Sequence, residues 1–264
     1  MADSMSIEDR ARTIFGQRAD QYVDSSAHAD PQVLSRLVEL AQPQRSWRVL
    51  DVATGTGHTA LTFAPYVAEV IGIDLTPQML AEAEKLAASR GVSSVHFMIA
   101  DIHELPFDDE TFDDEVFDLV TCRRAAHHFS DIEEAIGEMV RMLKTGGLLL
   151  IDDRSVPEDD FVDGVMNRLD WLHDESHVRE YRPSEWQAML AAAGCHVLLV
   201  EPYLRHRSLS SLTDRVSPNN AAQIYSVLRS LSPDQRRSFA LEEKDGELFS
   251  NHWYVIVAAR KIPR

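Results

Sequence analysis

The stretch VLDVATGTGHTAL, Val49 to Leu61, decides how the rest of the chain is read. Extended back to Trp47 it begins with WRVLDVA, a short apolar run that predicts a buried strand. A turn with two glycines follows, Gly55 and Gly57, and then HTALTFAPYVA, whose spacing predicts a helix. Strand, glycine turn and helix in that order make the first unit of a nucleotide-binding α/β sheet. Gly55 to Ala60 also satisfies G-x-G-x-x-A, the fingerprint of a dinucleotide site. The turn alone does not name the nucleotide, because glycine serves any ligand that the backbone must approach closely.

Working outward, the same alternation repeats. EVIGIDL (69–75) predicts a second strand, and TPQMLAEAEKLAASRG a helix with Thr76 as N-cap, Pro77 at its first position and Gly91 as its stop. VHFMIAD, FDLVTCR and LLLIDD predict three further strands, with the helix DIEEAIGEMVRMLKTGG before the last of them. Strands alternating with helices predict a parallel sheet covered on both faces. Residues 6–42 read as helical, with an Asp-Pro start at DPQVLSRLVELA. Beyond Asp153 come an amphipathic helix (EDDFVDGVMNRLDWLHDE), a helix with Ser184 as cap (RPSEWQAMLAAAG), a strand (CHVLLVEPYL) and a closing strand (HWYVIVAARK). The expected organisation is a single domain over 1–264. It has an N-terminal helical lid at 1–45, an inserted helical lid segment at 155–182 and a helical insertion at 205–245 before the last strand.

Composition excludes several function classes. Lys and Arg number 26 against 43 Asp and Glu, a formal net charge of −17. Such a chain repels a phosphate backbone and an anionic membrane surface, so no nucleic-acid partner is expected. No apolar run approaches the ~20 residues of a membrane span, and MADSMSIEDR has no apolar signal region. Two isolated cysteines, Cys122 and Cys195, make neither a zinc site nor a disulfide framework. A reduced cytoplasm is the expected location. The acidic repeat FDDETF–FDDEVF (107–117) reads as solvated loop, and no metal is expected.

Three carboxylates bear on which nucleotide is held. Asp74 ends the second strand, 17 residues after Gly57, where it can accept both ribose hydroxyls of an adenosine. Asp101 ends the third strand, where it can accept from an adenine amino group with Ile102 against the base. Asp51 lies just before the turn. An acid there would repel a pyrophosphate but suits the positively charged methionine end of S-adenosylmethionine (SAM).

Together these residues resemble the class I SAM-dependent methyltransferases, most nearly the ubiquinone/menaquinone-biosynthesis type in a small-molecule branch. VLDVATGTGH, IGIDLTPQML, ADIHELPF, FDLVTCRRAAHHF and MLKTGGLLLIDD carry the resemblance, in family order, across roughly residues 10–260. It implies a Rossmann-like α/β fold, with a seven-stranded mostly parallel sheet, helices on both faces, an antiparallel last strand and helical lid segments. It implies SAM as cofactor, S-adenosylhomocysteine (SAH) as product, and a small methyl acceptor that is ring-bearing, phenolic or quinol-like. It also implies that Ala53, Gly55, Thr56 and Gly57 line the methionine and ribose portion, with Asp51 beside it. Leu75, Asp101 and Ile102 would meet the adenine, and Cys122–Arg123 would approach the methionine tail. His58 departs from the family, where a third glycine is common.

Methyl transfer needs an aligned acceptor and, where that acceptor is protonated, a base. His127 and His128 follow the fourth strand at the carboxyl edge of the sheet and are the first candidates. Asp152 is the second. Tyr22, His28, Arg123, His177 and Arg179 are candidates for acceptor contacts. An inward-facing Arg123 or Arg124 would point to an anionic or phenolic acceptor. The rival readings are an NAD-dependent oxidoreductase and a SAM-binding protein without catalysis. A homodimer is compatible with the sequence.

Overall fold

The computed structural model describes residues 5–23, 25, 28–105, 116–214 and 216–263; the acidic repeat lies almost wholly outside them. The strands are β1 Arg48–Val52, β2 Glu69–Asp74, β3 Val95–Ile99, β4 Phe117–Arg123, β5 Leu143–Ser155, β6 Cys195–Ser208, β7 Glu242–Lys244 and β8 Glu247–Lys261. The helices are α1 Ile7–Val23, α2 Pro31–Ala41, α3 His58–Phe63, α4 Pro77–Ser89, α5 Ile132–Met142, α6 Asp160–His173, α7 Pro183–Ala192, α8 Ser210–Thr213, α9 Pro218–Arg229 and α10 Pro233–Ser238. The sheet runs β3-β2-β1-β4-β5-β8-β6, with β7 paired to β8. β1 to β5 pair in parallel, and β8 is antiparallel to β5, β6 and β7. The sheet thus has eight strands rather than seven. The extra one, β7, is a three-residue hairpin arm closed by Asp245 and Gly246, both at positive φ.

Alternation along the strands splits the core. Leu50, Val52, Ile71, Ile73, Val120 and Ile151 pack on one face against Ile136 and Met139 of α5 and Trp186 of α7. Val49, Val70, Leu119 and Leu150 face the other way, against Leu37 of α2, Phe63 of α3 and Ala87 of α4. A third core joins α6, α8 and α9 through Leu169, Leu212 and Leu228, with Phe239 and Leu248. The segment 205–245 is therefore not helical throughout. β6 continues to Ser208, because its outer half stays paired with β8 as far as Ser208–Phe249, and helix occupies only Ser210–Thr213, Pro218–Arg229 and Pro233–Ser238.

Helix starts follow local chemistry. Asp30 accepts from the Gln32 and Val33 amides at the head of α2. Thr76 holds the N-cap position of α4 without a side-chain cap bond, and the Asp74 carboxylate takes its amide instead. Ser184 does not cap α7. Arg182 stands at that N-cap, and the Ser184 hydroxyl donates to Glu158. No helix among the described residues is long and apolar enough to cross a membrane.

Candidate active site

The strand order advances outward in both directions from the β1–β4 pair, so the loops that follow those strands part there. Open α/β sheets bind ligands in that crevice, outside the carboxyl ends of the strands. A cavity fills it, with about 1000 Å³ of space when its mouth is included. Asp51, Ala53, Gly55, Thr56, Asp74, Leu75, Asp101, Ile102 and Arg123 all line it. Gly57 and Cys122 do not. Gly57 lies at φ +81°, and a Cβ there would stand 3.0 Å from the Phe97 ring, so it serves the turn's packing. Cys122 is buried in the core, its thiol pushed well above the ordinary range by burial.

The acids are held by the fold rather than left free. Asp74 accepts from the Gly55 amide at 2.8 Å and the Thr76 amide at 2.9 Å, one on each carboxylate oxygen. Asp51 accepts from the hydroxyls of Thr54 and Thr121, both at 2.6 Å, and from the Ala60 amide. Burial raises the pKa of both carboxyls. Asp101 Oδ1 accepts from the His103 amide and lies 2.8 Å from His103 Nδ1. Thr54, Thr59 and Thr121 were not among the sequence candidates. Only their partners' burial identifies them as supports.

Arg123 is the informative cation. It is 8% exposed; its Nε donates to Thr59 Oγ1 at 2.9 Å and one terminal nitrogen donates to the His28 carbonyl. The other, Nη1, is buried without a hydrogen-bond partner, and the nearest carboxylate oxygen, on Asp152, is 3.9 Å away. A buried guanidinium nitrogen left unpaired is costly unless an anion meets it. The α-carboxylate of a methionine tail is such an anion, so the residues fit SAM. His58 has a role here too. Its Nε2 donates to the Tyr22 carbonyl at 3.2 Å and ties the end of α1 to the glycine turn, a bond that a glycine at 58 could not make.

Comparison with known proteins agrees. Residues 43–194 match the family model described as "Methyltransferase domain". The chain is 43% identical over 180 residues to the uncharacterized methyltransferase YcgJ of Bacillus subtilis (strain 168), covering 68% of this chain and 69% of that one. The chain belongs to the SAM-dependent methyltransferases. The crystal structure of YcgJ superposes with a TM-score of 0.81 at 34% identity, covering 88% of this chain and 98% of that one. A demethylmenaquinone methyltransferase of Thermus thermophilus is 42% identical over 125 residues, 47% of this chain. This methyltransferase spans only about half of that relative, 54% of its length.

A second cavity adjoins the first in this methyltransferase. The two share Phe15, Tyr22, His28, Arg124 and His128. His127 and His177 line the second only. The backbone amide of His127 donates to Asp153 Oδ2 at 3.0 Å, and its ring Nδ1 sits 2.6 Å from Asp153 Oδ1. His128 Nδ1 donates to the Ser176 carbonyl at 3.1 Å. Burial holds His127 well below the usual histidine range and His177 at about 4. Burial likewise lowers His28, whose ring lies 4.7 Å from that of Tyr22.

Two candidates fall elsewhere. Asp152 lines neither cavity. Its oxygens accept from the Tyr203 hydroxyl at 2.6 Å and Arg124 Nε at 3.1 Å, so it buttresses Arg124 rather than facing an acceptor. Strand alternation explains the exchange, since Asp153, one residue on, points to the histidines. Arg179 is paired with Asp163 and Glu185 and also lines neither cavity.

Proposed function

We propose that this methyltransferase moves a methyl group from SAM to a small ring-bearing metabolite of phenolic or quinol-like character. The observation that carries the reading is the pair of cavities sharing one wall, one with an orphaned guanidinium and the other with a histidine–aspartate pair. In the first, Asp74 would hold the ribose hydroxyls, Asp101 and Ile102 the adenine, and Arg123 Nη1 the carboxylate, with Asp51 facing the cationic end. Bound SAM supplies an electrophilic methyl on a sulfonium. The chain's own work is to align the acceptor, exclude water and take a proton. Asp153 keeps the proton of His127 on Nδ1, which leaves Nε2 as the base, and it stabilises the imidazolium once that proton arrives. The N-terminal segment 1–45 and the segment 155–182 act as lids, since α1 and α6 supply walls to the second cavity. The name of the Thermus relative supports the quinol-like class.

Calorimetry with SAM and SAH tests the first cavity, and failure of both to bind at millimolar concentration overturns the reading. SAH release with a panel of quinols, phenols, thiols and amines tests the second. NADH fluorescence is expected to stay unchanged on mixing.

A further inference from the structure

Three histidines in the wall of the second cavity each present a ring nitrogen that can only accept. The Asp153 carboxylate takes the Nδ1 proton of His127, so Nε2 presents a lone pair. His177 Nε2 lies 3.1 Å from Asn167 Oδ1. The amide of Asn167 cannot be turned round, because Oδ1 also accepts from the Glu180 amide at 2.7 Å while Nδ2 donates to Asp163. His177 therefore donates from Nε2 and presents Nδ1 as a lone pair. His173 donates from Nδ1 to the Leu212 carbonyl at 2.9 Å, and its Nε2 is the third. His127 and His177 are 7% and 5% exposed, and their ring centroids stand 5.8 Å apart. Neither remaining nitrogen has a hydrogen-bond partner among the described residues.

Of the four arginines that line this wall, Arg18, Arg124, Arg154 and Arg207, two are held by carboxylates. Arg124 pairs with Asp152 and lies 3.9 Å over the Tyr254 ring, and Arg154 pairs with Asp170 and Glu180. Asp170 and Asp174 line the same space and add acceptors. Unpaired imidazole lone pairs beside carboxylates reward hydroxyl protons. No group of histidines, cysteines and carboxylates among the described residues converges as a metal ion requires. The two rings stand 5.8 Å apart by centroid, close enough for two hydroxyls of one small molecule to reach both lone pairs.

We infer that the methyl acceptor carries a vicinal diol, with one hydroxyl donating to His127 Nε2 and its neighbour to His177 Nδ1. This rests on the methyl-transfer reading only for calling the second cavity the acceptor's. A vicinal diol can belong to a catechol ring or to a sugar ring, and the probes separate them.

The test uses the full chain with ¹⁵N-labelled histidine. Catechol, methyl α-mannopyranoside, 1,2-dimethoxybenzene and benzoate are each titrated while the unprotonated imidazole nitrogens are followed, and His127→Gln and His177→Gln assign the signals. One diol moves both nitrogens upfield and the dimethoxybenzene moves neither. Whichever of catechol or the mannoside does so names the source. Each variant weakens that diol about fivefold, one hydrogen bond's worth. If benzoate moves the signals and the diols do not, or if nothing moves them, the inference is overturned; the wild-type spectra decide this even if a variant fails to fold. SAH is titrated into the same sample. Loss of SAH binding with diol binding intact sinks the methyl-transfer reading alone, and the reverse sinks the diol alone.

Discussion

Arg123→Met asks whether the orphaned guanidinium nitrogen is there for a carboxylate. Of the three guanidinium nitrogens, Nε is committed to Thr59 and one terminal nitrogen to the His28 carbonyl, which leaves Nη1 for a ligand. One hydrogen bond between charged groups contributes about 1.5–3 kcal/mol, so its loss weakens SAH about 10- to 150-fold. The burial of the site favours the upper end, since the carboxylate would be left without a partner. The substitution also removes the bond to His28, which loosens the connection between α1 and α2 against the site, so loss of SAH binding alone would prove little. The control is 5′-methylthioadenosine, which keeps the adenosine and the sulfur but has no carboxylate. Calorimetry on wild type and variant with both ligands gives two ratios. The SAH ratio is expected to exceed the methylthioadenosine ratio at least about tenfold. Equal ratios would mean that Arg123 acts only by holding the His28 segment, and wild-type affinity for SAH would falsify the carboxylate assignment.

Asp74→Asn keeps the shape but offers one acceptor oxygen to the two amides of Gly55 and Thr76. SAM binding should fall about 10- to 100-fold, and an affinity within threefold of wild type in a folded variant contradicts the ribose role. Asp153→Asn keeps an acceptor oxygen where the Arg154 amide and His127 Nδ1 converge but removes the charge that stabilises a His127 imidazolium. Turnover on any acceptor that releases a proton should drop about 10²- to 10⁴-fold with SAH binding unchanged, and wild-type turnover refutes the base assignment. Burial lowers His177 to about 4, below the ordinary value near 6.5, so the unfolded chain takes the proton first. The stability this group lends is whole above about pH 6.5 and drains as pH falls towards 4. Between pH 7.5 and 5 the wild type should lose about 2 kcal/mol relative to His177→Gln in urea unfolding, and parallel pH profiles would rule this out.

The order of elements was legible because each signal is local. WRVLDVA and EVIGID are short apolar runs bounded by turn residues, the length and pattern of a strand buried on both faces. Pro77 and Gly91 mark α4 through their own backbone preferences, whatever the rest of the chain does. The length of β6 was not legible, since Arg205 to Ser208 are polar and exist as strand only through pairing with His252 to Phe249. Likewise 242–244 is exposed and charged (EEK), and it becomes a strand only through the hairpin turn at Asp245–Gly246. Long-range pairing outweighs propensity at both places.

The site divides along a different line. Which residues stand at the carboxyl edge follows from strand ends, so Asp51, Asp74, Asp101 and Arg123 could be named from the chain. What each side chain does there depends on partners far away in sequence. Asp152 and Asp153 are adjacent and chemically identical, yet one serves Arg124 and Tyr203 and the other serves His127. Strand alternation guarantees that two neighbours face opposite ways, but nothing local says which face carries the histidines. His58 makes the same point. Against a glycine-rich turn it reads as a departure, and its function emerges only when α1 is brought round to offer the Tyr22 carbonyl. The N-terminal segment is therefore tied to the first cavity's own residues, Tyr22 to His58 and His28 to Arg123. If Arg123 also holds a methionine carboxylate, one guanidinium joins ligand to that segment. Filling the first cavity would then steady the very helix, α1, whose Phe15, Arg18 and Tyr22 close the second.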